Sequence, residues 1–312
     1  MKYTLEQITM SDNNINVFHS WIPEGQVKAC VILSHGMREH VSRYQGLAKE
    51  FCDKGLAVFG EDHRGHGETA ALAEKNGNGQ LGYLADHDGF FRVVEDIHEE
   101  VQLIKERYPQ KKVFIIGHSF GSFITQGYIE KYGNEVSGAI ICGSAGPRPL
   151  TEAFAKIMGS LITAVKGRKK PSPLIEKLAF GSYNSRIKNP YSQVAWLTRN
   201  NQIIDQYLQD PWCTFECSTA FYKDMFTGLR AIHKKKAMKM IPQELPVYLI
   251  AGTADPVGSY SKTVSRLFKV YHKNGISDLS ISLWEDCRHE LYNELNGEEI
   301  IKDSLEWILD RL

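Results

Sequence analysis

One stretch limits the possible folds of this chain more than any other: Val113-Phe114-Ile115-Ile116-Gly117-His118-Ser119-Phe120-Gly121-Ser122-Phe123-Ile124-Thr125-Gln126. Its first residues are apolar and largely β-branched, as in a strand buried on both faces. That run meets Gly117-His118-Ser119-Phe120-Gly121, and helix-forming residues follow at once. A strand turning this sharply into a helix leaves no room for Cβ atoms at the flanks, and the two glycines remove them. Ser119 is thereby predicted to stand strained at the apex with its hydroxyl exposed. Unpaired N–H groups at the start of the following helix face the same point. Gly-x-Ser-x-Gly alone recurs by chance in glycine-rich chains, so it is the strand before and the helix after that mark Ser119 as a nucleophile.

Similar apolar runs recur at Ala29–Leu33, Leu56–Gly60, Val136–Cys142, Pro246–Ala251 and Leu279–Leu283. Helical spacing separates several of them: residues 43–54 before Gly55, residues 88–107 through Phe91, Val94, Ile97, Val101 and Ile104, and Phe123 to Tyr132. Alternating strands and helices predict an α/β fold with a mostly parallel central sheet and helices on both faces. Residues 2–10 and 14–22 alternate polar and apolar positions around Ser11-Asp12-Asn13-Asn14, which predicts an opening hairpin on one sheet edge. A polar, Gly-rich loop is expected near 75–82. From Pro147 to about Pro242 the pattern breaks into amphipathic helical runs without a strand. The expected division is a first core part at 1–146, a helical insertion at 147–242 and a second core part at 243–312.

Lys+Arg 37 against Asp+Glu 37 leaves no net charge to attract nucleic acid, so a small-molecule partner is expected. The N-terminal segment lacks an apolar signal core and no run is long enough to span a bilayer, which makes the cytoplasm the expected location. The six cysteines are scattered and are expected to be reduced thiols. Cys213 and Cys217 have no second pair at ligand spacing, and His63 and His66 have no set of acidic partners, so no metal is expected. No phosphate-binding motif or other cofactor signature is present. Arg168-Lys169-Lys170 and Lys234-Lys235-Lys236 are expected to be solvated helix ends, with at most transient contact to an anionic lipid surface. The oligomeric state is left open.

In an open parallel sheet, chemistry gathers beyond the C-terminal strand ends. Those ends carry His35-Gly36-Met37, Asp62-His63-Arg64, Ser119, Asp255 and His289. A serine hydroxyl needs a neutral imidazole to take its proton, and the imidazole needs a carboxylate to set its tautomer. Ser119, Asp255 and His289, in that chain order, supply the three. Glu285 and Asp286 are rival acids, although sharing a loop with His289 hinders their approach to the far side of its ring. Two N–H donors must hold the oxyanion: the backbone of Phe120, which follows the nucleophile, and that of Met37, which follows the His-Gly pair.

These segments resemble the bacterial lysophospholipase and monoacylglycerol lipase branch of the α/β-hydrolase family. His35-Gly36-Met37-Arg38-Glu39-His40, with Arg43-Tyr44 beyond, is similar to its oxyanion loop, and Asp62-His63-Arg64-Gly65-His66-Gly67 to its next strand-end loop. Gly117-His118-Ser119-Phe120-Gly121 resembles its elbow, Asp255-Pro256-Val257-Gly258 its acid loop, and Arg288-His289-Glu290-Leu291-Tyr292-Asn293-Glu294 its histidine loop. Arg38 departs from the family pattern, which has glycine there. The resemblance implies an α/β-hydrolase fold and a serine hydrolase for carboxylic esters of single-chain lipids, acting through an acyl-enzyme. It also implies that residues 147–242 form a helical cap over an apolar acyl pocket. Phe154, Ile157, Met158, Leu161 and Ile162 would then face either acyl chains or the core. A short-chain carboxylesterase, an acyltransferase, an aminopeptidase-like hydrolase and a non-catalytic binding protein share these features and stay open.

Overall fold

In the computed structural model, which describes residues 1–312, β1 (Lys2–Thr9) and β2 (Ile15–Ile22) pair as an antiparallel hairpin. They are followed by β3 (Ala29–Ser34), β4 (Leu56–Glu61), β5 (Lys112–His118), β6 (Gly138–Cys142), β7 (Val247–Gly252) and β8 (Leu279–Trp284). All lie in one eight-stranded sheet of order β1-β2-β4-β3-β5-β6-β7-β8. From β4 across to β8 neighbours run parallel, and the hairpin joins antiparallel through β2. The parallel strands therefore end on one side, where their following loops converge.

Between the strands run α1 (Gln45–Asp53), α2 (Gly67–Lys75), α3 (Gly89–Arg107), α4 (Phe120–Tyr132), α5 (Pro149–Lys166), α6 (Pro173–Phe180), α7 (Asn201–Gln209), α8 (Thr219–Ile232), α9 (Lys235–Met238), α10 (Lys262–Lys273) and α11 (Gly297–Leu309). Every residue of β5 after Lys112 is buried, because helices cover both faces of the sheet. Val113 and Ile115 enter one apolar core with α3 and α4, whereas Phe114 and Ile116 enter the other with α1 and α11. The period of two thus sorts a continuous apolar run between two cores. Helix α2 was not expected. Its buried residues are Gly67, Thr69 and Ala70, so no large apolar side chain marks a helical period.

Between β6 and β7 the chain forms α5 to α9, and Pro171 meets Ser218 in an isolated bridge. Helix α5 lies on α8 with Gly159 against Lys223 and Phe226, and with Thr163 donating to the Thr219 carbonyl at 3.1 Å. Small residues let the two backbones approach, which turns the large side chains of α5 outward. Phe154, Ile157 and Leu161 are 57–64% exposed, so they do not pack in the core, while Met158 and Ile162 are half-buried. Leu150 and Val165 extend this exposed stripe along α5, and Leu174 and Leu178 stand exposed on α6.

Beneath β4, Glu61, Asp96 and Glu100 are buried together. Asp96 pairs with Arg64 through two hydrogen bonds, and Asn16 donates to Glu61, but neither Glu100 oxygen has a partner. Burial pushes Glu61 and Asp96 up to about 7, and burial with the nearby charges of Glu61 and Asp96 pushes Glu100 well above the usual carboxylate range. Such carboxyls bind their protons more tightly in the folded chain than in the unfolded one. Their contribution to stability is therefore fully present below the ordinary carboxylate pKa and is lost as pH rises from there to about 7 for Glu61 and Asp96, and further for Glu100. Glu100→Gln, which keeps the shape without the titration, is expected to raise Tm by roughly 2–4 °C at pH 9 and by less at pH 6. Scanning calorimetry at the two pH values checks this, and an equal shift at both would contradict it.

Candidate active site

Ser119 sits between β5 and α4 at φ 52 and ψ −118, outside the regions open to ordinary L residues. A Cβ at Gly121 would overlap the carbonyls of Ser34 and His35, and one at Gly117 would overlap Thr125 and the Gly121 carbonyl. The elbow is therefore pressed against the end of β3, and only glycine fits there. The Ser119 N–H donates to the Cys142 carbonyl on β6 at 3.1 Å, which pins the apex to the neighbouring strand.

The residues predicted from sequence come together around this apex. His289 Nε2 lies 2.8 Å from Ser119 Oγ, and His289 Nδ1 lies 3.0 Å from Asp255 Oδ2. Asp255 is fully buried beyond β7, and its other oxygen accepts the Val257 N–H at 2.8 Å. The close approach of the acid and histidine loops needs Gly252, where a Cβ would overlap the carbonyls of Cys287 and Arg288. Asp286 and Glu285 are exposed and make no bond to His289. With a carboxylate at Nδ1, the imidazole carries its proton there and offers the Nε2 lone pair to the serine hydroxyl.

The Phe120 N–H opens α4, and the Met37 N–H stands in the loop after β3. Neither donates to a group of the protein. Met37 is half-buried against the larger core. Arg38 has φ 58, a left-handed conformation that costs a non-glycine residue roughly 1–2 kcal/mol.

Sequence reasoning gave no role to the buried charges behind these loops. Glu39 Oε1 accepts from Gly36 N–H at 2.5 Å, from the Tyr44 hydroxyl at 2.9 Å and from His118 Nδ1 at 2.9 Å. The other nitrogen of His118 faces the His289 carbonyl at 3.2 Å. Both partners are acceptors, an arrangement that favours a proton on each nitrogen and hence the imidazolium form of His118. Burial opposes that charge, but the Glu39 carboxylate raises the His118 pKa above its ordinary value. Burial would likewise raise Glu39, and the charge of His118 with Arg43 instead holds it well below the carboxylate range. Arg43 also grips Glu290 through two bonds of 2.9 and 2.8 Å. One buried network thus braces the oxyanion loop, the elbow and the histidine loop. Glu39, Arg43, His118 and Glu290 lie inside the motifs that sequence singles out, but motif spacing does not tell which of them touch.

Residues 195–198 close over the histidine loop. Glu290 N–H donates to the Leu197 carbonyl at 2.7 Å, Arg288 to the carbonyls of Ala195 and Thr198, and the Trp196 ring lies 5.1 Å from that of His289. His63 faces Ser34 Oγ at 3.0 Å, and His66 faces the Arg64 carbonyl at 3.0 Å, so both brace their loops. His40, Asp210 and Cys213 form a group of possible metal ligands. Both nitrogens of His40 already have partners in Ser42 Oγ at 2.6 Å and Asp210 at 2.8 Å. All six cysteines are free and buried.

A serine, an imidazole and a carboxylate hydrogen-bonded in series beyond the strands of a mostly parallel sheet define a serine hydrolase of the α/β-hydrolase class. The family model described as serine aminopeptidase, S33, matches residues 25–296, and the chain belongs to that family. It is 25% identical over 304 residues to the monoacylglycerol lipase of Mycolicibacterium smegmatis, covering 95% of this chain and 93% of that one. Its identity to the monoglyceride lipase of Rattus norvegicus is 25% over 311 residues, covering 99% and 91%. A highly thermostable carboxyl esterase from Bacillus coagulans, solved in complex with glycerol, superposes with a TM-score of 0.90 at 24% identity over 99% of each chain. No helix is long and apolar enough to cross a membrane.

Proposed function

We propose that this protein hydrolyses carboxylic esters of single-chain lipids, of the monoacylglycerol or lysophospholipid type, through an acyl-enzyme. The observation that carries this is the Asp255, His289 and Ser119 series at 3.0 and 2.8 Å, with the Met37 and Phe120 N–H groups unpaired beside it. The lipase names of the relatives support the lipid ester class. Ser119 Oγ attacks the ester carbonyl while His289 Nε2 takes its proton, and the two N–H groups hold the oxyanion. His289 returns the proton to the leaving alcohol as the ester C–O bond breaks. Water, deprotonated by the same imidazole, then releases the fatty acid and restores the serine.

In this reading 147–242 is the cap, set into a core of 1–146 and 243–312. The exposed stripe of Leu150, Phe154, Ile157, Leu161 and Val165, flanked by Lys166, Arg168, Lys169 and Lys170, supports transient contact with an anionic lipid surface. Six free cysteines suit the reducing cytoplasm, which cell fractionation tests.

Turnover of p-nitrophenyl esters across a chain-length series, with monoacylglycerol on phosphatidylglycerol vesicles and amino-acid p-nitroanilides in parallel, tests the substrate class. Preference for medium or long acyl chains is expected. Leu161→Glu with Leu178→Glu should slow the vesicle reaction several-fold and leave soluble short-chain ester untouched. Faster anilide than ester cleavage would replace this reading by the aminopeptidase-like one that the family description suggests.

A further inference from the structure

Arg38 lies between Met37, whose N–H donates to no group of the protein and is the proposed oxyanion donor, and Glu39, the centre of the buried network. Its φ of 58 is a conformation that glycine adopts freely and arginine adopts only when contacts hold it. Those contacts lie across the gap between core and inserted helices. Arg38 Nη1 meets Glu176 Oε1 of α6 at 2.5 Å, and Nε donates to the Cys213 carbonyl at 3.3 Å. The two side chains of the ion pair are 16% and 29% exposed, so solvent screens the pair only in part.

Met37 is thus bracketed. On one side Gly36 N–H is anchored to Glu39 within the core; on the other, Arg38 is anchored to α6. The core anchor is buried and serves three donors, whereas the anchor to α6 is the single, partly wet ion pair with Glu176; the long hydrogen bond to the Cys213 carbonyl lies outside α6.

We propose that Arg38 is a positioning residue through which α6 controls the oxyanion loop: the Arg38–Glu176 pair holds the left-handed turn, and with it the Met37 N–H, only while α6 is seated on the core. Moving α6 outward would break the pair and let the turn relax, withdrawing one oxyanion donor. Reseating α6 over a bound ester would restore it, so that the donor is in place when the substrate is covered. This rests on Met37 as oxyanion donor in the proposed hydrolase.

The test compares the full-length wild type with Glu176→Gln, Arg38→Gly, Arg38→Lys and the double variant Arg38→Gly with Glu176→Gln. Hydrogen–deuterium exchange is read on the peptide 35–40, and kcat and KM on a p-nitrophenyl ester. Glu176→Gln, made on another element, is expected to speed exchange in 35–40 about tenfold and to lower kcat about tenfold, less than the ~10²–10³ for losing a donor outright. KM should stay within twofold and Tm unchanged. Arg38→Lys should recover part of the loss, and the double variant should be no worse than Arg38→Gly, since both remove one interaction. Exchange and kcat within twofold of wild type in Glu176→Gln would overturn the proposal, as would losses that multiply in the double variant. Fluorophosphonate labelling of wild-type Ser119 keeps the two levels apart. If labelling and turnover are absent, the hydrolase reading fails, while the exchange arm still decides whether α6 controls the loop.

Discussion

Ser119→Ala is expected to lower kcat for ester turnover by about 10⁴–10⁶-fold, leave KM nearly unchanged and abolish labelling by a fluorophosphonate. The size of the loss follows from what the hydroxyl does. His289 Nε2 has Ser119 Oγ as its partner at 2.8 Å, and without that oxygen no acyl-enzyme forms. The unpaired N–H groups of Met37 and Phe120 survive the change, so a slow attack by water polarised by His289 remains. The fold should survive as well, since alanine keeps the elbow backbone and loses one partly exposed hydrogen bond. A second substitution, His289→Ala, should add little to the first, because the two groups act as a unit. A Ser119→Ala protein that keeps more than a few per cent of wild-type turnover, with its melting temperature intact, would remove Ser119 from the chemistry.

Asp255→Asn should cost about 10⁴ in kcat without unfolding the site. Asp255 Oδ1 accepts the Val257 N–H at 2.8 Å, and Oδ2 faces His289 Nδ1 at 3.0 Å. An asparagine has one acceptor oxygen, and the fixed Val257 N–H claims it. The amide NH₂ then points at Nδ1, which must become an acceptor, and the imidazole proton moves to Nε2. There it faces Ser119 Oγ, and the ring can no longer take the serine proton. Replacing the exposed neighbours Glu285 and Asp286 by alanine should leave kcat within about twofold, as expected of surface carboxylates with no bond to the imidazole. Kinetics of the three variants on one ester substrate decide the acid. A larger loss in Asp286→Ala or Glu285→Ala than in Asp255→Asn would move that role to the histidine loop.

Some elements were plain in the sequence and others were not, for physical reasons. The apolar run before Ser119 is strand β5, because a strand covered on both faces reads as a near-continuous apolar run. The opening hairpin forms as predicted, although burial does not follow the alternation: β1, at the sheet edge, has no buried residue, and β2, between β1 and β4, is buried at six consecutive positions. Helix α2 was hidden because its inward face is built from Gly67, Thr69 and Ala70. The stripe on α5 misled in a different way. Helical spacing of Phe154, Ile157 and Leu161 marks an apolar face but does not say what covers it, and in the fold that face is turned to solvent by the small-residue contact with α8.

The sequence alone determined the chemistry on offer: a serine at a glycine-flanked elbow, and a carboxylate and a histidine each following a later strand, because those residue types are set by local turn geometry and by acid–base requirements. It could not determine contacts between segments remote in the chain. Glu39 meets His118 across 79 positions, Arg43 meets Glu290 across 247, and Arg38 meets Glu176 across 138. The fold alone decided that His118 stands between two acceptors, that Asp255 rather than Asp286 reaches the imidazole, and that the left-handed turn at Arg38 is tied to α6. Each depends on a few ångströms of packing between loops brought together by the strand order of the sheet, and no local pattern records that distance.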